Sequence, residues 1–194
     1  GDLPFLKNGG GVLDRAYNES PAAASPQSNF QRVMRTGATR LTNHWCRELL
    51  PPNTERVKHI PPGGDWRDIP HRLLPPGMQR ALRKDHTTRY GRLNPDALAG
   101  TLLTKPDPHW GTFLHYDTKQ QRLISVREAA RFQSFPDAHE FFGSQGDQYR
   151  LCGNAVPPLM GGAIAAKVQT TLERYYEHLR DEVALAEGSA RKRA

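Results

Sequence analysis

Cysteine is scarce in this sequence, and long hydrophobic runs are missing from it. Two cysteines among 194 residues, Cys46 and Cys152, are too few for a disulfide framework or a paired-cysteine metal motif. The eight histidines show no zinc-binding spacing. No stretch of about 18 apolar residues occurs, so a membrane-spanning helix is not expected. No signal peptide is visible at Gly1-Asp2-Leu3-Pro4 either. These absences favour a reducing, intracellular compartment.

Acidic side chains are fewer than basic ones, and the difference is concentrated in the first part of the chain. There are 27 basic and 20 acidic residues, a formal charge of +7. Residues 1–110 hold 16 bases and 10 acids, whereas residues 111–194 hold 11 and 10. Arginine, whose guanidinium suits phosphate oxygens and guanine edges, dominates the bases. A local arginine excess is typical of nucleic-acid binding, although a solvated basic surface is the simpler alternative.

The first part of the chain predicts short elements between turns. We expect an irregular segment over residues 1–30, apart from a short helix at 28–36. A second short helix is predicted from the Thr42-Asn43-His44 cap to Leu50. The residues around Trp66 predict an ordered loop. Two strands are predicted, Arg89–Leu93 and Gly100–Thr104.

The second part predicts more regular helices. Ser125 and Glu128 form a capping-box pattern that opens a helix over Val126–Ser134. A long helix is predicted to begin at Pro157-Pro158, because proline is tolerated in a first helical turn. Apolar residues recur along it at helical spacing: Met160, Ile164, Val168, Leu172, Tyr175 and Leu179. This stripe requires a partner surface.

Two strings in the second part have a specific combination of residues. The first, Arg122 to Asp137, reads RLISVREAARFQSFPD, and the second, Tyr149 to Pro158, reads YRLCGNAVPP. In this order and spacing they resemble the last two sequence motifs of the DNA cytosine-5 methyltransferases. Upstream, Tyr90-Gly91-Arg92-Leu93 and Gly100-Thr101-Leu102-Leu103-Thr104 look like the end of that family's target-recognition region. The resemblance extends roughly from Gly1 to Val168.

The resemblance implies an α/β fold, of which this chain would be an α+β piece. We expect a small target-recognition (DNA-binding) domain over residues 1–110. C-terminal helices over 111–186 would complete a Rossmann-like methyltransferase domain supplied elsewhere, and residues 187–194 would form a basic tail. The implied substrate is double-stranded DNA, and the implied cofactor is S-adenosyl-L-methionine. No metal and no membrane partner is implied.

The resemblance also assigns roles to individual residues. Asn154, Ala155 and Val156 would line the S-adenosylmethionine pocket, where an amide and backbone N–H groups suit the cofactor's carboxylate; capping of the long helix is the structural alternative for Asn154. The positions expected to contact DNA are Arg89, Arg92, Thr101 and Leu102, each of which could instead be an ordinary strand residue. Three further residues are expected to be structural, bracing the recognition region: Arg127, Glu128 and Arg131.

The catalytic residues of the family are missing from these 194 residues. Cytosine-5 methylation needs a thiolate that attacks C6 of a flipped cytosine, and the family's nucleophile follows a proline. Cys46 follows Trp45 and Cys152 follows Leu151. The Glu-Asn-Val motif and the Gly-rich cofactor loop are also absent. The sequence therefore predicts no catalytic residue in this chain, and a chain that is inactive alone.

Three origins are compatible with the sequence: a truncated gene product, an experimental fragment of a longer protein, and the smaller subunit of a split methyltransferase. In the last case an N-terminal methyltransferase half would carry the nucleophile. The process implied by the resemblance is DNA methylation, as in restriction-modification. A non-catalytic DNA-binding remnant is the main rival from another class, and an RNA-binding module is more distant. The expected location is the bacterial cytoplasm, associated with the nucleoid, or the nucleus of a eukaryote.

Overall fold

Short strands and helical turns enclose the core, and one long helix follows them. A computed structural model describes residues 2–17, 25–80 and 88–191. The strands are β1 (Gly11–Ala16), β2 (Arg40–Trp45), β3 (Gly91–Arg92) and β4 (Thr112–Leu114). The α-helices are α1 (Asn29–Arg35), α2 (Asn53–Arg56), α3 (Pro76–Gln79), α4 (Val126–Phe132), α5 (Gln145–Asn154) and α6 (Pro158–Arg191). Three 3-10 turns lie at Val57–His59, Trp66–Asp68 and His71–Leu73.

β1 and β2 form an antiparallel pair that corrects two predictions. Gly11 pairs with Trp45, and Ala16 pairs with Arg40. The predicted irregular segment therefore contains a strand, and the predicted helix from Thr42 is wrong because β2 occupies its first part. Four consecutive residues of β2, from 41 to 44, are buried, so its sequence lacks the alternation that marks a half-buried strand. A Cβ on Gly11 would lie 1.9 Å from the Cβ of Trp45, so the close pairing requires glycine there.

The second strand pair is shorter than predicted. Within the predicted strand Arg89–Leu93, only β3 is extended, and it pairs in parallel with β4. Residues 100–104, predicted as a strand, adopt no regular structure. They are mostly exposed and lie outside both sheets. A strand of two or three residues is too short to show alternating hydrophobicity, so the sequence pattern predicted the wrong bounds for this strand pair.

The loop around Trp66 is ordered, as predicted, and its indole lies in the core. The Asp65 side chain caps the 3-10 turn by accepting a hydrogen bond from the backbone N–H of Arg67, and the Asp68 carboxylate accepts one from the backbone N–H of Asp65. Trp66 is 1% exposed. It belongs to a core cluster whose members come from both sides of residue 110 and include Leu49, Val57, Ile60, Ile69, Tyr90, Phe113, Leu123, Ile124, Ala129, Tyr149 and Cys152.

The predicted helices are largely confirmed. Ser28 caps α1 with a complete capping box, but only Met34 of its apolar side chains is buried. Ser125 and Glu128 form the predicted box at the start of α4. The long helix α6 begins at Pro158, within the predicted pair of prolines. Helix α5 was not predicted; it is capped by a third box, between Ser144 and Asp147.

The chain divides into two compact units, residues 1–155 and residues 156–194. Residue 110, the expected boundary between the recognition and catalytic parts, lies within the first unit, and the core of that unit includes residues from both sides of it. The predicted basic tail falls partly outside the described residues, since the backbone of α6 is described to Arg191 and residues 192–194 are not. No helix within the described ranges is long and apolar enough to cross a membrane.

Candidate functional site

Glu128 is the centre of a buried polar network at the start of α4. Its carboxylate accepts two hydrogen bonds from the Arg122 guanidinium, at 2.7 and 2.8 Å, and another from the backbone N–H of Ser125. The His115 imidazole lies 3.4 Å away. Burial alone would raise the pKa of Glu128, but the bonds from Arg122 and His115 hold that pKa well below its usual range. Glu128 therefore stays ionised as a structural anion.

His44 connects this network to the N-terminal segment. Its Nε2 lies 2.9 Å from the carbonyl oxygen of Pro4, and its Nδ1 lies 2.9 Å from the hydroxyl of Ser125. Because a carbonyl oxygen only accepts, Nε2 carries the proton and Nδ1 of the neutral ring accepts from Ser125. Burial lowers the pKa of His44. The ring is therefore a neutral connector between β2, α4 and the chain near Pro4.

Arg127 joins α4 to β2. Its guanidinium donates to the carbonyl oxygen of Thr42 at 3.0 Å and to the Thr42 hydroxyl at 2.9 Å. A further bond of 2.7 Å reaches the carbonyl oxygen of His139. The side chain is fully buried. Arg127 is thus bonded to the framework on two sides of α4, rather than solvated as an ordinary helix charge would be.

Arg131 forms the second charged cluster, between two buried carboxylates. It lies 2.7 Å from Asp2 and 2.6 Å from Asp137. Arg35 adds a second cation 2.8 Å from Asp2, and the Tyr17 hydroxyl donates to Asp137 at 2.5 Å. Burial opposes ionisation of Arg131, yet its pairing with Asp137 and Asp2 raises its pKa above the ordinary arginine value. The cluster fastens the N-terminal segment to α4.

Arg92, predicted to contact DNA, lies in the interior instead. It is 1% exposed, and its guanidinium donates to the carbonyl oxygens of Ile60, His115 and Val57 at 2.6–2.7 Å. Burial lowers its pKa to about 10. Because its donors are directed at backbone acceptors, this side chain serves the core, and the expectation of a DNA contact is corrected accordingly.

The other three positions expected to contact DNA lie nearer the surface. Arg89 is half-buried, with its guanidinium carbon 5.0 Å from the ring centroid of Trp110. Thr101 is exposed and Leu102 is partly buried. Thr101 and Leu102 belong to residues 94–105, which are exposed apart from Leu102 and are called the recognition run below, because the resemblance implies target recognition for this region. Trp110, 53% exposed, was not singled out from the sequence, because neither its exposure nor its proximity to Arg89 is visible there.

The three residues expected to line a cofactor pocket lie between α5 and α6. Asn154 is the last residue of α5 and is exposed, so it does not cap the long helix, which begins four residues later. The backbone before and at Ala155 is held by the Gln133 side chain, which donates to the carbonyls of Cys152 and Ala155. Val156 is the first residue of the second unit and is exposed.

Gly153 fixes the same segment from another direction. A Cβ at this position would lie 2.8 Å from the backbone of Thr104. The backbone of the recognition run at Leu103 and Thr104 therefore packs directly against Gly153, which only a residue without a side chain permits.

Both thiols are buried, and their pKa values are high. Burial raises the pKa of Cys152 to about 12 and also raises the pKa of Cys46. At neutral pH both are therefore protonated, whereas a cysteine nucleophile acts as the thiolate. Across residues 2–17, 25–80 and 88–191, no group of three or more His, Cys, Asp or Glu side chains is arranged to hold a metal ion.

Known proteins resemble this chain in sequence. The C-5 cytosine-specific DNA methylase family matches residues 17–170. DNA (cytosine-5)-methyltransferase 2 of Arabidopsis thaliana is 36% identical over an alignment of 187 residues. That alignment covers 89% of this chain and 12% of the relative. DNA (cytosine-5)-methyltransferase 1 of Gallus gallus is 31% identical over an alignment of 227 residues. That alignment covers 87% of this chain and 14% of the relative. The chain thus spans a small part of these relatives.

A solved structure shares the fold. It is a putative DNA modification methyltransferase encoded within an E. coli prophage, with a TM-score of 0.54 and 17% identity. The match covers 89% of this chain and 44% of that protein. Because the family match extends over most of the sequence and includes both motifs that surround α4 and Asn154, this chain belongs to the C-5 cytosine-specific DNA methylase family.

Proposed function

We propose that this chain supplies DNA recognition and part of the cofactor pocket of a DNA cytosine-5 methyltransferase. The whole enzyme would transfer a methyl group from S-adenosyl-L-methionine to C5 of cytosine in double-stranded DNA. Residues 1–110 would serve recognition, and residues 111–186 would complete the catalytic domain. An N-terminal methyltransferase half, from the same gene or as a separate subunit, would supply the nucleophile. The site of action would be the bacterial nucleoid or the eukaryotic nucleus.

The state of the two cysteines supports a nucleophile supplied from elsewhere. Attack on C6 of cytosine requires a thiolate that can reach a flipped base. Cys46 and Cys152 are buried and protonated, and neither follows a proline. In this proposal they are core side chains, and the reacting sulfur belongs to the N-terminal half.

The observation that carries the proposal is the exposed Asn154 on a fixed backbone. Gln133 and the Gly153 contact hold this segment, while the Asn154 amide stays open to a ligand. An amide that donates and accepts hydrogen bonds fits the carboxylate and amino groups of an amino-acid-like cofactor. S-adenosylmethionine, when bound, would supply the methyl group. Asn154, Ala155 and Val156 would hold one side of it.

Exposed apolar side chains support the need for a further protein surface. Along α6, Met160, Ile164, Val168, Leu172 and Tyr175 are each about half exposed, at helical spacing. In the first unit, Phe5, Phe30 and Phe132 line a cavity of about 400 Å³ and are also about half exposed. Apolar surface of this extent is typical of an interaction site. In the proposal both faces are covered by the N-terminal half.

Methyl transfer from labelled S-adenosylmethionine to DNA tests the proposal. We expect no transfer by the chain alone and transfer when a candidate N-terminal half is added. In that mixture, Asn154→Ala should raise the KM for the cofactor by about tenfold, the equivalent of one lost hydrogen bond of about 1.4 kcal/mol. Leu151→Ala, at an exposed position on the same helix, is the matched control and should leave this KM unchanged.

Each outcome has a defined meaning. Methyl transfer by the purified chain alone would contradict the assignment of the nucleophile to another segment. No methyl transfer in either reaction, together with salt-sensitive DNA binding, would favour a non-catalytic DNA-binding remnant. An unchanged cofactor KM in the Asn154→Ala mixture would remove Asn154 from the pocket.

A further inference from the structure

A basic cavity lies beside the recognition run, apart from the residues assigned above. It measures about 500 Å³. Its lining comes from Arg47, two residues after β2, from the end of the recognition run and from the start of α5. Three of the lining side chains are cations: Arg47, Lys105 and Arg150. All three are exposed. Distant parts of the sequence therefore bring positive charge to one concave site.

Asp147, the acidic residue that lines this cavity, already forms an ion pair and hydrogen bonds with its neighbours. One oxygen of Asp147 pairs with Arg150, and the other accepts from the backbone N–H and the hydroxyl of Ser144. These bonds hold the pKa of Asp147 below its ordinary value, and they leave it with little capacity to neutralise the other cations. Within the described ranges, neither Arg47 nor Lys105 forms an ion pair or a hydrogen bond, although the Asp107 carboxylate interacts with Arg47 at longer range.

A donor in the same cavity also lacks an acceptor. The side-chain nitrogen of Gln145 is buried and has no hydrogen-bond partner among the described residues. A buried donor without an acceptor is costly, so such groups commonly mark where a ligand atom is missing. Two unpaired cations and one unpaired amide donor together suit an anion with several acceptor oxygens.

The surroundings of the cavity favour an extended anion over a small one. A second cavity of about 420 Å³ shares Thr104 and Lys105 with the first and is lined at its other side by Trp110. The two cavities are therefore adjacent: cations surround the first, Lys105 is shared, and Asp107 and the exposed indole of Trp110 line the far side of the second. A polymer with a repeated phosphate and a flat base matches this sequence of features.

We propose that Arg47, Lys105 and Arg150 bind a phosphodiester of the DNA backbone in this cavity. The inference rests on the proposed function, because it takes DNA as the substrate and assigns a backbone contact to it. Gln145 would donate to a phosphate oxygen, and Lys105 would continue the contact towards Trp110. These residues position the duplex and do not read its sequence.

The test measures DNA affinity of the full chain as a function of salt concentration. Neutralising one phosphate contact should make the plot of log affinity against log salt shallower by about one unit. We expect this change for the double variant Arg47→Gln, Lys105→Gln. Arg72→Gln with Lys119→Gln removes the same two residue types from exposed positions outside the cavity and should leave the slope nearly unchanged. Matching unfolding midpoints of both double variants control for folding.

The outcomes separate this inference from the function on which it rests. If the unaltered chain binds DNA and both double variants show the same slope, the cavity does not hold a phosphate, whereas DNA recognition stands. If the unaltered chain does not bind DNA at any salt concentration, the recognition role and the phosphate contact are both overturned.

Discussion

Two groups of cations in this molecule have opposite environments. Around α4 and β3, Arg92, Arg122, Arg127 and Arg131 are buried, and their donors are used by carbonyls and carboxylates of the same chain. Beside the recognition run, Arg47, Lys105 and Arg150 are exposed around a cavity. The formal charge of the sequence counts both groups equally. Only the second group is placed to attract a polyanion, because the charge of the first is enclosed by partners.

The largest expected effect is the loss of Arg131. Arg131→Met should lower the free energy of unfolding by about 3–5 kcal/mol, because it leaves Asp2 and Asp137 as buried carboxylates with fewer partners. Urea denaturation measures this effect. Arg40→Met removes an exposed ion pair with Asp14 and is the surface counterpart; its unfolding midpoint should match that of the unaltered chain. Similar losses in the two variants would contradict the claim that the buried arginines stabilise the fold more than exposed ones do.

A smaller loss is expected at Arg92. Arg92→Lys keeps a positive charge but cannot reproduce the planar fork that reaches Ile60, Val57 and His115. We expect the free energy of unfolding to fall by about 2–3 kcal/mol, the range for lost hydrogen bonds to a charged group. DNA affinity, measured at a temperature where both proteins are folded, should not change. A specific loss of DNA affinity would return Arg92 to the group of DNA-binding cations.

The smallest effect concerns pH. The pKa of His44 is lowered by burial, so the unfolded chain binds a proton more readily than the folded one does. Its contribution to stability is complete above the ordinary histidine pKa of about 6.5 and is lost as the pH falls below that value. One proton gives a slope of at most about 1.4 kcal/mol per pH unit.

Unfolding free energies measured between pH 7 and pH 5 check this expectation. The slope in that interval should be shallower for His44→Asn than for the unaltered chain. His178→Asn, at an exposed position on α6, should keep the original slope. If the slope for His44→Asn equals that of the unaltered chain, protonation of His44 does not cause the loss of stability in acid.

The elements predicted well from sequence have a local cause, although α5, whose capping box at Ser144 is equally local, was not predicted. The capping boxes at Ser28 and Ser125 place donors and acceptors three residues apart, so helix starts are encoded within one turn. The strand β2 is different, because its partner lies about 30 residues away and its burial on both faces removes the alternation. Pairing between distant segments is a tertiary property that a local pattern does not contain.

The site shows the same division. The motif around Asn154 was recognisable because its residues are contiguous, and the structure places them in one short segment. The position of Arg92 was misjudged because a short strand in a basic region gives no sign of whether its side chain points to the core or to solvent. The basic cavity was not foreseen, since Arg47, Lys105 and Arg150 are separated by more than 100 residues in total and meet only in the folded chain.

The recognition run has a further consequence for how this protein can diverge. Its exposed residues, 94–105, lie between the buried Leu93 and the buried Pro106, and its far end is held against Gly153. Both ends are therefore anchored, whereas the residues between them contribute little to the core. A loop of this kind accepts substitutions and insertions at small thermodynamic cost. Exchange of this one short segment could therefore change the exposed side chains of the protein, while the buried arginine network stays the same.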